Sequence, residues 1–561
     1  MRRFIAILLL SISTLSFAQQ SADPEGHQWW QHAVFYEIYP RSFADTNNDG
    51  IGDLRGIDSK LDYLQWLGVT AIWITPMFPS PQVDFGYDVS DYENVDPVYG
   101  SLADMDRIIT HGKQKNVRVI LDLVVNHTSD KHPWFVESAS SKNNPKSDWY
   151  IWHDGKNGEP PNTWTSHFGG SAWKFVPSRG QYYYHYFYAG QPDLNWRNPE
   201  VEKAMFDVTR WWYERGVAGF RLDAVDTMFE DVNLRDNPPV DNEKNAYGDQ
   251  VYKEIYNKKL PELHGALQRL RKVADEYGSV LIGETLTSNI EELNRYYGPT
   301  LNEIQLPMNF MFMRVDKLSA PEFRKQIAWA DGVSGWPVWV MSNHDIPRVY
   351  DRYGNGRDND KIAKLMAALY LTLRGTPILY YGEEIGMENN DPKRREDVQD
   401  PIGRLGWPQK RGRDGERTPM QWNASKNAGF SEAKPWNPVG PRYAQYNVEA
   451  EQKDPASILN WYRKIISLRS KHPALLEGKY VPLKENDPNV LAFLRSYKNK
   501  NVVVVLNMSG AHQKAKLNLA AKGVKAVSAK VLATTGKNAS SSANAVELEP
   551  YGVWIAEVPA K

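Results

Sequence analysis

Gly219-Phe220-Arg221-Leu222-Asp223-Ala224-Val225 is the stretch of this 561-residue sequence that decides its predicted fold. Side chains alternate between the two faces of a strand, so Arg221 and Asp223 point one way and Phe220 and Leu222 the other. If the apolar pair packs against helices, the ion pair faces the interior of a sheet, where such pairs seldom add net stability. Two interpretations follow: a catalytic carboxylate, or an edge strand with a solvated polar face.

Outward from this stretch, short β-rich apolar runs alternate with longer helix-periodic segments, which is typical of parallel strands joined by helices. Strands are predicted at 34–39, 71–74, 118–123, 218–222, 280–283, 303–306, 337–341 and 377–380. Helices are predicted at 102–115, 201–215, 263–277 and 361–373. Eight strands with eight crossovers predict an α/β fold, the (β/α)8 TIM barrel.

Two segments depart from this rhythm. Residues 127–192 are rich in Trp, Tyr, Gly, Ser, Asn and Pro, and a connection this long predicts a lid or a small inserted domain. After His472 the sequence alternates as 490–497, 501–507 and 551–558, which predicts a C-terminal antiparallel β-sandwich over 473–561. The barrel is therefore predicted to comprise 27–126 and 193–472.

The N-terminus has the pattern of a signal peptide. Arg2 and Arg3 precede an apolar run, and Ser16-Phe17-Ala18 offers small residues before Gln19. Residues 1–18 are therefore predicted to be removed, with export to a periplasm or the medium; the alternative is a disordered apolar tail. The run is too short and too serine-rich for a membrane span, so no membrane association is expected after cleavage.

The amino-acid composition indicates which classes of molecule the protein is expected to bind. The net charge is −1 without long runs of one sign, so neither nucleic acid nor an anionic membrane is indicated, and a small neutral substrate fits better. Cysteine is absent, which removes thiol nucleophiles and disulfides. The glycines of 50–56 do not form a dinucleotide fingerprint, and no organic cofactor is expected. A monomer or weak oligomer is expected.

Reactive side chains follow several of the predicted strands. His127 follows the third strand, Asp223 the fourth, Glu284 the fifth, and His344 with Asp345 the seventh. Since TIM barrels carry their reactive groups past the C-terminal ends of the strands, these side chains are expected to meet at one rim.

Three carboxylates and two histidines without cysteine are the equipment of glycoside cleavage. Retaining enzymes need an ionised carboxylate to attack the anomeric carbon and a protonated one to assist the leaving oxygen. Arg221 on the same strand face favours an ionised Asp223, which predicts the nucleophile. Glu284 ends an apolar strand, where poor solvation favours the protonated form, so it is predicted to act as acid and then base.

The chain resembles the α-amylase superfamily, glycoside hydrolase family 13. The stretches that carry the resemblance are 122–127, 191–196, 219–225, 283–285 and 342–345. The resemblance implies Asp223 as nucleophile, Glu284 as acid/base and Asp345 as the carboxylate that stabilises the transition state. It also implies that Arg221, His127 and His344 bind the sugar at the cleavage site.

Two further stretches resemble the α-glucosidase and oligo-1,6-glucosidase branch: 84–87 and 417–422. This resemblance implies that Asp84, Tyr87 and Arg417 close a pocket around one terminal glucose. In this branch valine after the nucleophile correlates with α-1,6 linkages and smaller residues with α-1,4, so Ala224 favours α-1,4. Phe168, in a glycine-rich loop of the insert, is an additional candidate for sugar contact.

The expected function is an exported, retaining, exo-acting α-glucosidase for short α-1,4-linked gluco-oligosaccharides. The alternatives are an oligo-1,6-glucosidase, a transglucosidase and, from another class, a catalytically inactive scaffold. The scaffold is disfavoured because Asp223, Glu284 and Asp345 are all present.

A candidate calcium loop precedes the second strand. It presents oxygen ligands at Asp45, Asn47, Asp49, the Ile51 carbonyl and Asp53. Gly56 stands where an EF-hand has its bidentate glutamate, so the pattern is partial. One structural Ca²⁺ is expected; the alternative is a metal-free turn that uses the same side chains for local hydrogen bonds.

Overall fold

The computed structural model describes residues 26–524, 528–536, 542 and 544–559. The predicted signal peptide lies outside these residues. Within the described part of the chain, every helix is too short or too polar to cross a bilayer.

The strands and helices are numbered along the chain. The strands are β1 (Phe35–Ile38), β2 (Ala71–Ile74), β3 (Arg118–Val124), β4 (Trp152–His153), β5 (Trp173–Val176), β6 (Gln181–Tyr184), β7 (Gly219–Asp223), β8 (Pro239–Lys244), β9 (Gln250–Tyr252), β10 (Val280–Gly283), β11 (Leu306–Pro307), β12 (Val338–Val340), β13 (Thr376–Tyr380), β14 (Lys479–Pro482), β15 (Val490–Tyr497), β16 (Lys500–Asn507), β17 (Gln513–Lys516), β18 (Lys530–Thr534), β19 (Ala545–Leu548) and β20 (Val553–Pro559). The helices are α1 (Trp29–His32), α2 (Leu54–Ser59), α3 (Leu61–Leu67), α4 (Leu102–Gln114), α5 (Pro133–Ser140), α6 (Pro199–Glu214), α7 (Glu262–Glu276), α8 (Ile290–Tyr297), α9 (Ala320–Ala330), α10 (Val349–Arg352), α11 (Asn359–Leu371), α12 (Pro401–Gly406), α13 (Val448–Lys453), α14 (Ile458–Lys471) and α15 (Pro473–Leu476).

Eight parallel strands form one nearly closed barrel sheet, in the order β11-β10-β7-β3-β2-β1-β13-β12. The predicted TIM barrel is therefore confirmed. Inside it, apolar side chains such as Phe35, Trp73 and Ile282 form a buried cluster, while Phe220 and Leu222 pack outward into the layer beneath the helices. Arg221 and Asp223 consequently point inward, as their alternation in β7 predicts.

The sixth barrel strand, β11, is shorter than the sequence predicts. The side chain of Gln305 makes hydrogen bonds to the neighbouring segment where backbone pairing was expected. The Gln305 amide accepts a hydrogen bond from the Leu281 backbone N–H and donates one to the Ser279 carbonyl. Backbone pairing with β10 consequently begins only at Leu306.

Helix boundaries follow local chemistry. Ser101 caps α4 and forms a capping box with Asp104, and Asn198 caps α6 with Pro199 in its first turn. These helices pack around the sheet with a buried apolar face each, which holds the strand ends at the rim in fixed positions.

Three smaller units surround the barrel. The segment after β3 contains the antiparallel sheet β4-β6-β5 over an aromatic cluster that includes Trp164, Trp173 and Tyr184. The hairpin β8-β9 follows β7 and was not expected from the sequence. The C-terminal unit has a five-stranded antiparallel sheet and the pair β17-β19, which confirms the predicted antiparallel β domain.

Candidate active site

One guanidinium group lies at the centre of the candidate site. Arg221, fully buried in β7, places Nη1 2.6 Å from Asp223 Oδ1 and 3.1 Å from Asp122 Oδ1, and Nη2 2.8 Å from Glu284 Oε2. Glu284 also accepts a hydrogen bond from the Ala224 backbone N–H at 3.2 Å. Adjacent strands β3, β7 and β10 therefore deliver three carboxylates to a single cation.

This arrangement favours retention of a proton. Burial raises the pKa of Asp122 to about 6 and raises the pKa of Asp223 well above its ordinary value, while Arg221 acts in the opposite direction. Three carboxylates around one guanidinium carry excess negative charge, so Asp122 and Asp223 hold a proton more readily than isolated acids do. The expectation that Arg221 lowers the pKa of Asp223 is therefore wrong in its net direction, because burial and the neighbouring carboxylates of Asp122 and Glu284 outweigh the guanidinium.

Asp345, beyond the end of β12, has a different environment. Its Oδ1 lies 2.9 Å from Arg413 Nη1 and 2.7 Å from Arg417 Nη2. Burial alone would raise the pKa of Asp345, but the guanidinium groups of Arg413 and Arg417 hold it well below its usual range. A fixed anion of this kind can stabilise positive charge that develops on a sugar ring.

A cavity of about 530 Å³ opens above these groups. Seven of the ten catalytic and sugar-binding residues predicted from the sequence line it: Asp84, Tyr87, His127, Phe168, Asp223, Glu284 and Asp345. The remaining three, Arg221, His344 and Arg417, are buried and contact lining residues from outside the cavity wall. Arg221, His344 and Arg417 are therefore placed to orient the cavity-lining residues that they contact.

His344 holds Tyr87 in place. Its Nδ1 lies 2.6 Å from Glu37 Oε1, and its Nε2 lies 2.7 Å from the Tyr87 hydroxyl. Burial lowers the pKa of His344 well below its ordinary value, so we assign a neutral ring that donates from Nδ1 and accepts at Nε2. Burial likewise lowers the pKa of His127 to about 3, and that ring is neutral beside the Tyr87 carbonyl.

Arg413 and Gln191 line the cavity but were not among the site residues predicted from the sequence. Arg413 Nη2 lies 2.8 Å from Asp84 Oδ1 and 2.9 Å from Asp400 Oδ1, in addition to its contact with Asp345. Gln191 Nε2 lies 3.1 Å from His127 Nε2 and 3.4 Å from Asp84 Oδ2. Gln191 begins the stretch 191–196 that carries the family resemblance, and Arg413 lies four residues before Arg417, but neither position in the sequence predicts the contact.

One wall of the cavity is aromatic. Phe168 stacks on Tyr188 at a ring-centroid distance of 4.0 Å and lies 5.8 Å from Phe187, which also lines the cavity. Flat apolar rings beside carboxylates are suited to the apolar face of a sugar.

The candidate calcium loop is held by its own hydrogen bonds. Asp45 accepts from the backbone N–H groups of Asn48 and Gly50, and Asp53 accepts from Gly56 N–H as the N-cap of α2. Among the described residues, the one group of three His, Asp or Glu ligands that converges within 4.8 Å lies elsewhere. The side chains and the Ile51 carbonyl of this loop offer only oxygen donors, the ligand type that a hard cation prefers.

Paired carboxylates at the C-terminal ends of the strands of a (β/α)8 barrel are an arrangement that glycoside hydrolases use. The chain belongs to the α-amylase family: residues 37–478 match the family description "Alpha amylase, catalytic domain", and 481–555 match "Maltogenic Amylase, C-terminal domain".

Named relatives agree with this membership. The chain is 44% identical over 496 residues to a probable alpha-glucosidase of Rhizobium meliloti, covering 86% of this chain and 89% of the relative. It is 39% identical over 516 residues to an oligo-1,6-glucosidase of Parageobacillus thermoglucosidasius, covering 86% and 90%. The crystal structure of the alpha-glucosyl transfer enzyme XgtA superposes with a TM-score of 0.87 at 38% identity, covering 94% of this chain and 99% of that one.

Proposed function

We propose that this glycoside hydrolase is a retaining, exo-acting α-glucosidase that releases α-glucose from the non-reducing ends of short α-1,4-linked gluco-oligosaccharides. The observation that carries the proposal is the shared contact of Asp223 and Glu284 with Arg221. Two carboxylates that hold one guanidinium favour the short separation of about 5 Å needed for direct attack, rather than the wider gap that admits a water.

In the proposed reaction, Glu284 gives its proton to the glycosidic oxygen while Asp223 attacks the anomeric carbon. The bond between glucose and the aglycone breaks, and a glucosyl ester forms on Asp223. Glu284 then takes a proton from water, which attacks the same carbon and releases α-glucose and the Asp223 carboxylate. Asp345 stabilises the positive charge that develops in both transition states.

The Asp84–Arg413 ion pair supports exo action. It joins the loop after β2 to the loop after β13 across the cavity wall, beside Gln191. Charged groups of this kind bind the outer hydroxyls of one terminal sugar and leave no continuous groove for a longer chain on that side.

Ala224 supports the α-1,4 preference. It lines the cavity directly after the nucleophile, and its small side chain leaves room beside the aglycone sugar. Discrimination on this scale is worth about 1 to 3 kcal/mol. The oligo-1,6-glucosidase and the alpha-glucosyl transfer enzyme among the relatives keep α-1,6 hydrolysis and transglucosylation as alternatives.

The direct test is glucose release from maltose, isomaltose, trehalose, sucrose and soluble starch, with the product anomer followed by NMR. We expect rapid release of α-glucose from maltose and little from starch. Preference for isomaltose would overturn the proposed α-1,4 linkage preference. Formation of α-glucosyl-oligosaccharides in place of glucose would indicate transfer to a sugar acceptor. Release of β-glucose as the first product would overturn the assignment of Asp223 as nucleophile.

We further propose one structural Ca²⁺ at Asp45, Asn47, Asp49, Ile51 and Asp53, supported by their oxygen donors and by the turn they share.

Export to a periplasm or the medium is proposed from residues 1–18. Cell fractionation with an antibody, together with the N-terminal sequence of the mature protein, tests it.

A further inference from the structure

A cluster of two imidazoles and one carboxylate lies at the end of the barrel opposite the catalytic rim. His27 precedes α1, His32 ends it, and Glu477 follows α15. The two histidines therefore come from the chain just before β1, and the glutamate from the boundary between barrel and C-terminal unit. The proposed catalytic mechanism uses none of these three residues.

The three side chains converge on each other. His27 Nε2 lies 3.3 Å from Glu477 Oε2, and His32 Nε2 contacts Glu477 Oε1. The two imidazole centroids are 4.7 Å apart, with the rings tilted by 45°. One ligand atom from each residue lies within 4.8 Å of the others.

These distances suit a metal ion. Ligands about 2.0 to 2.2 Å from a tetrahedral Zn²⁺ are separated from each other by roughly 3.3 to 3.5 Å. The separation of His27 Nε2 from Glu477 Oε2 already has this value, and the ligand atom of His32 lies within 4.8 Å of the other two. Two histidines and one glutamate form a known Zn²⁺ ligand set that leaves the fourth position for water.

The surroundings allow an ion to enter. The cluster lines a cavity of about 450 Å³ together with Asn499 and Lys500. Side-chain exposures of 19% for His27, 27% for His32 and 11% for Glu477 show a site that is half-buried yet accessible.

We propose that His27, His32 and Glu477 form a binding site for a divalent transition-metal ion of the Zn²⁺ type, which fastens the start of the barrel chain to the junction with the C-terminal unit. Imidazole ligands select Zn²⁺, Cu²⁺ or Ni²⁺ over Ca²⁺ and Mg²⁺, which prefer oxygen. A single carboxylate and nearby Lys500 also disfavour a cation that depends on ligand charge. The proposal is independent of the substrate.

The experiment uses full-length mature protein without an affinity tag, stripped with chelator and then kept in excess Ca²⁺ so that the calcium loop is filled. Zn²⁺ is titrated by calorimetry and by thermal unfolding. We expect one Zn²⁺ per chain and a rise in the melting temperature, because binding to the folded state alone stabilises it.

The variants are His32→Gln and Glu477→Gln. Each substitution is expected to lower the Zn²⁺ affinity by more than about tenfold, because the loss of a residue that merely hydrogen-bonds to a metal ligand already lowers metal affinity by that factor. The matched control is His111→Gln, because His111 is also part-exposed and bonded to a carboxylate, Asp58 Oδ1 at 2.8 Å, but lies outside the cluster. Its Zn²⁺ affinity should be unchanged.

A measurement on the wild-type protein guards against variants that fail to fold. Co²⁺ bound in place of Zn²⁺ should give the visible absorption of a tetrahedral site with nitrogen ligands. Absence of Zn²⁺ binding and of this absorption would mean that the cluster is a metal-free pair of His–carboxylate hydrogen bonds. Equal affinity in His32→Gln, Glu477→Gln and wild type would overturn the assignment of the ligands.

Discussion

The guanidinium of Arg413 lies 2.8 Å from the carboxylate of Asp84, although 329 residues separate the two along the chain. The same guanidinium reaches Asp345 and Asp400. A single planar cation thereby connects the loop after β2, the acid beyond β12 and the long segment after β13.

Replacement of Arg413 by lysine should lower kcat/KM for maltose by about a hundredfold, because an ammonium point charge cannot hold three carboxylates in the fork geometry of a guanidinium. Steady-state kinetics with maltose measure the effect. Arg411→Lys is the matched control: Arg411 lines the same cavity and is exposed, and within the described chain no ion pair is found for it. Equal losses in the two variants would contradict a specific role for Arg413.

Glu284→Ala should reduce turnover of unactivated glucosides by about 10² to 10⁴-fold, since it removes the proton donor to the leaving group. Azide should then restore turnover of an aryl glucoside and give α-glucosyl azide, because azide attacks the Asp223 ester without needing a base. NMR of the product identifies the anomer. Formation of the β-azide by this variant would show that no glucosyl ester on Asp223 intervenes.

Ala224→Val should move the preference from maltose towards isomaltose by about fivefold or more in the ratio of kcat/KM. Ala224 has φ 49° and ψ 36°, a left-handed conformation that β-branched residues adopt at a cost of about 1 to 2 kcal/mol, so the variant should also unfold at lower urea concentration. Ala224→Gly tolerates the backbone without adding volume, and its substrate ratio should stay close to that of the wild type. A Val variant with an unchanged ratio would refute the steric explanation.

Glu451→Gln should remove a pH-dependent loss of stability. Glu451 is buried in α13, its Oε2 accepts from Leu459 N–H at 2.9 Å, and burial raises its pKa to about 8. Between the unfolded pKa of about 4.3 and this value, the folded state holds a proton that the unfolded state has lost, so stability falls as pH rises through that window.

Urea unfolding of both proteins from pH 5 to pH 9 measures this difference. Within this pH window, the free energy of unfolding of the wild type should fall by up to about 1.4 kcal/mol per pH unit relative to that of Glu451→Gln. Above the window, the plots of unfolding free energy against pH for the two proteins should run parallel. Glu449→Gln serves as control, because Glu449 on the same helix is exposed and paired with Lys453. Parallel curves for Glu451→Gln throughout would contradict the raised pKa.

Removal of Ca²⁺ by chelator should lower the melting temperature of the wild type by several degrees, since an ion bound only to the folded state stabilises it. Asp49→Asn, which removes a charged donor from the exposed part of the loop, should abolish the difference between chelated and Ca²⁺-loaded protein. Differential scanning calorimetry provides the measurement. An identical melting temperature of wild type with and without chelator would indicate a metal-free turn.

The sequence by itself determined the barrel, its C-terminal antiparallel unit and the rim on which the reactive groups lie. Strand periodicity in Gly219–Asp223 placed Arg221 and Asp223 on one inward face, and the strand-end rule placed Glu284 and Asp345 near them. Both inferences rest on local geometry, which a few neighbouring residues encode.

The tertiary structure alone decided how charge is distributed among these groups. Arg221 is shared by Asp122 as well as Asp223 and Glu284, Arg417 lies behind Asp345, and Arg413 reaches Asp84. His27 and His32 likewise meet Glu477 only because the two ends of the barrel chain pack together. Such contacts depend on how distant segments pack together and on the length and direction of each side chain. The spacing of residues along the chain encodes neither of these.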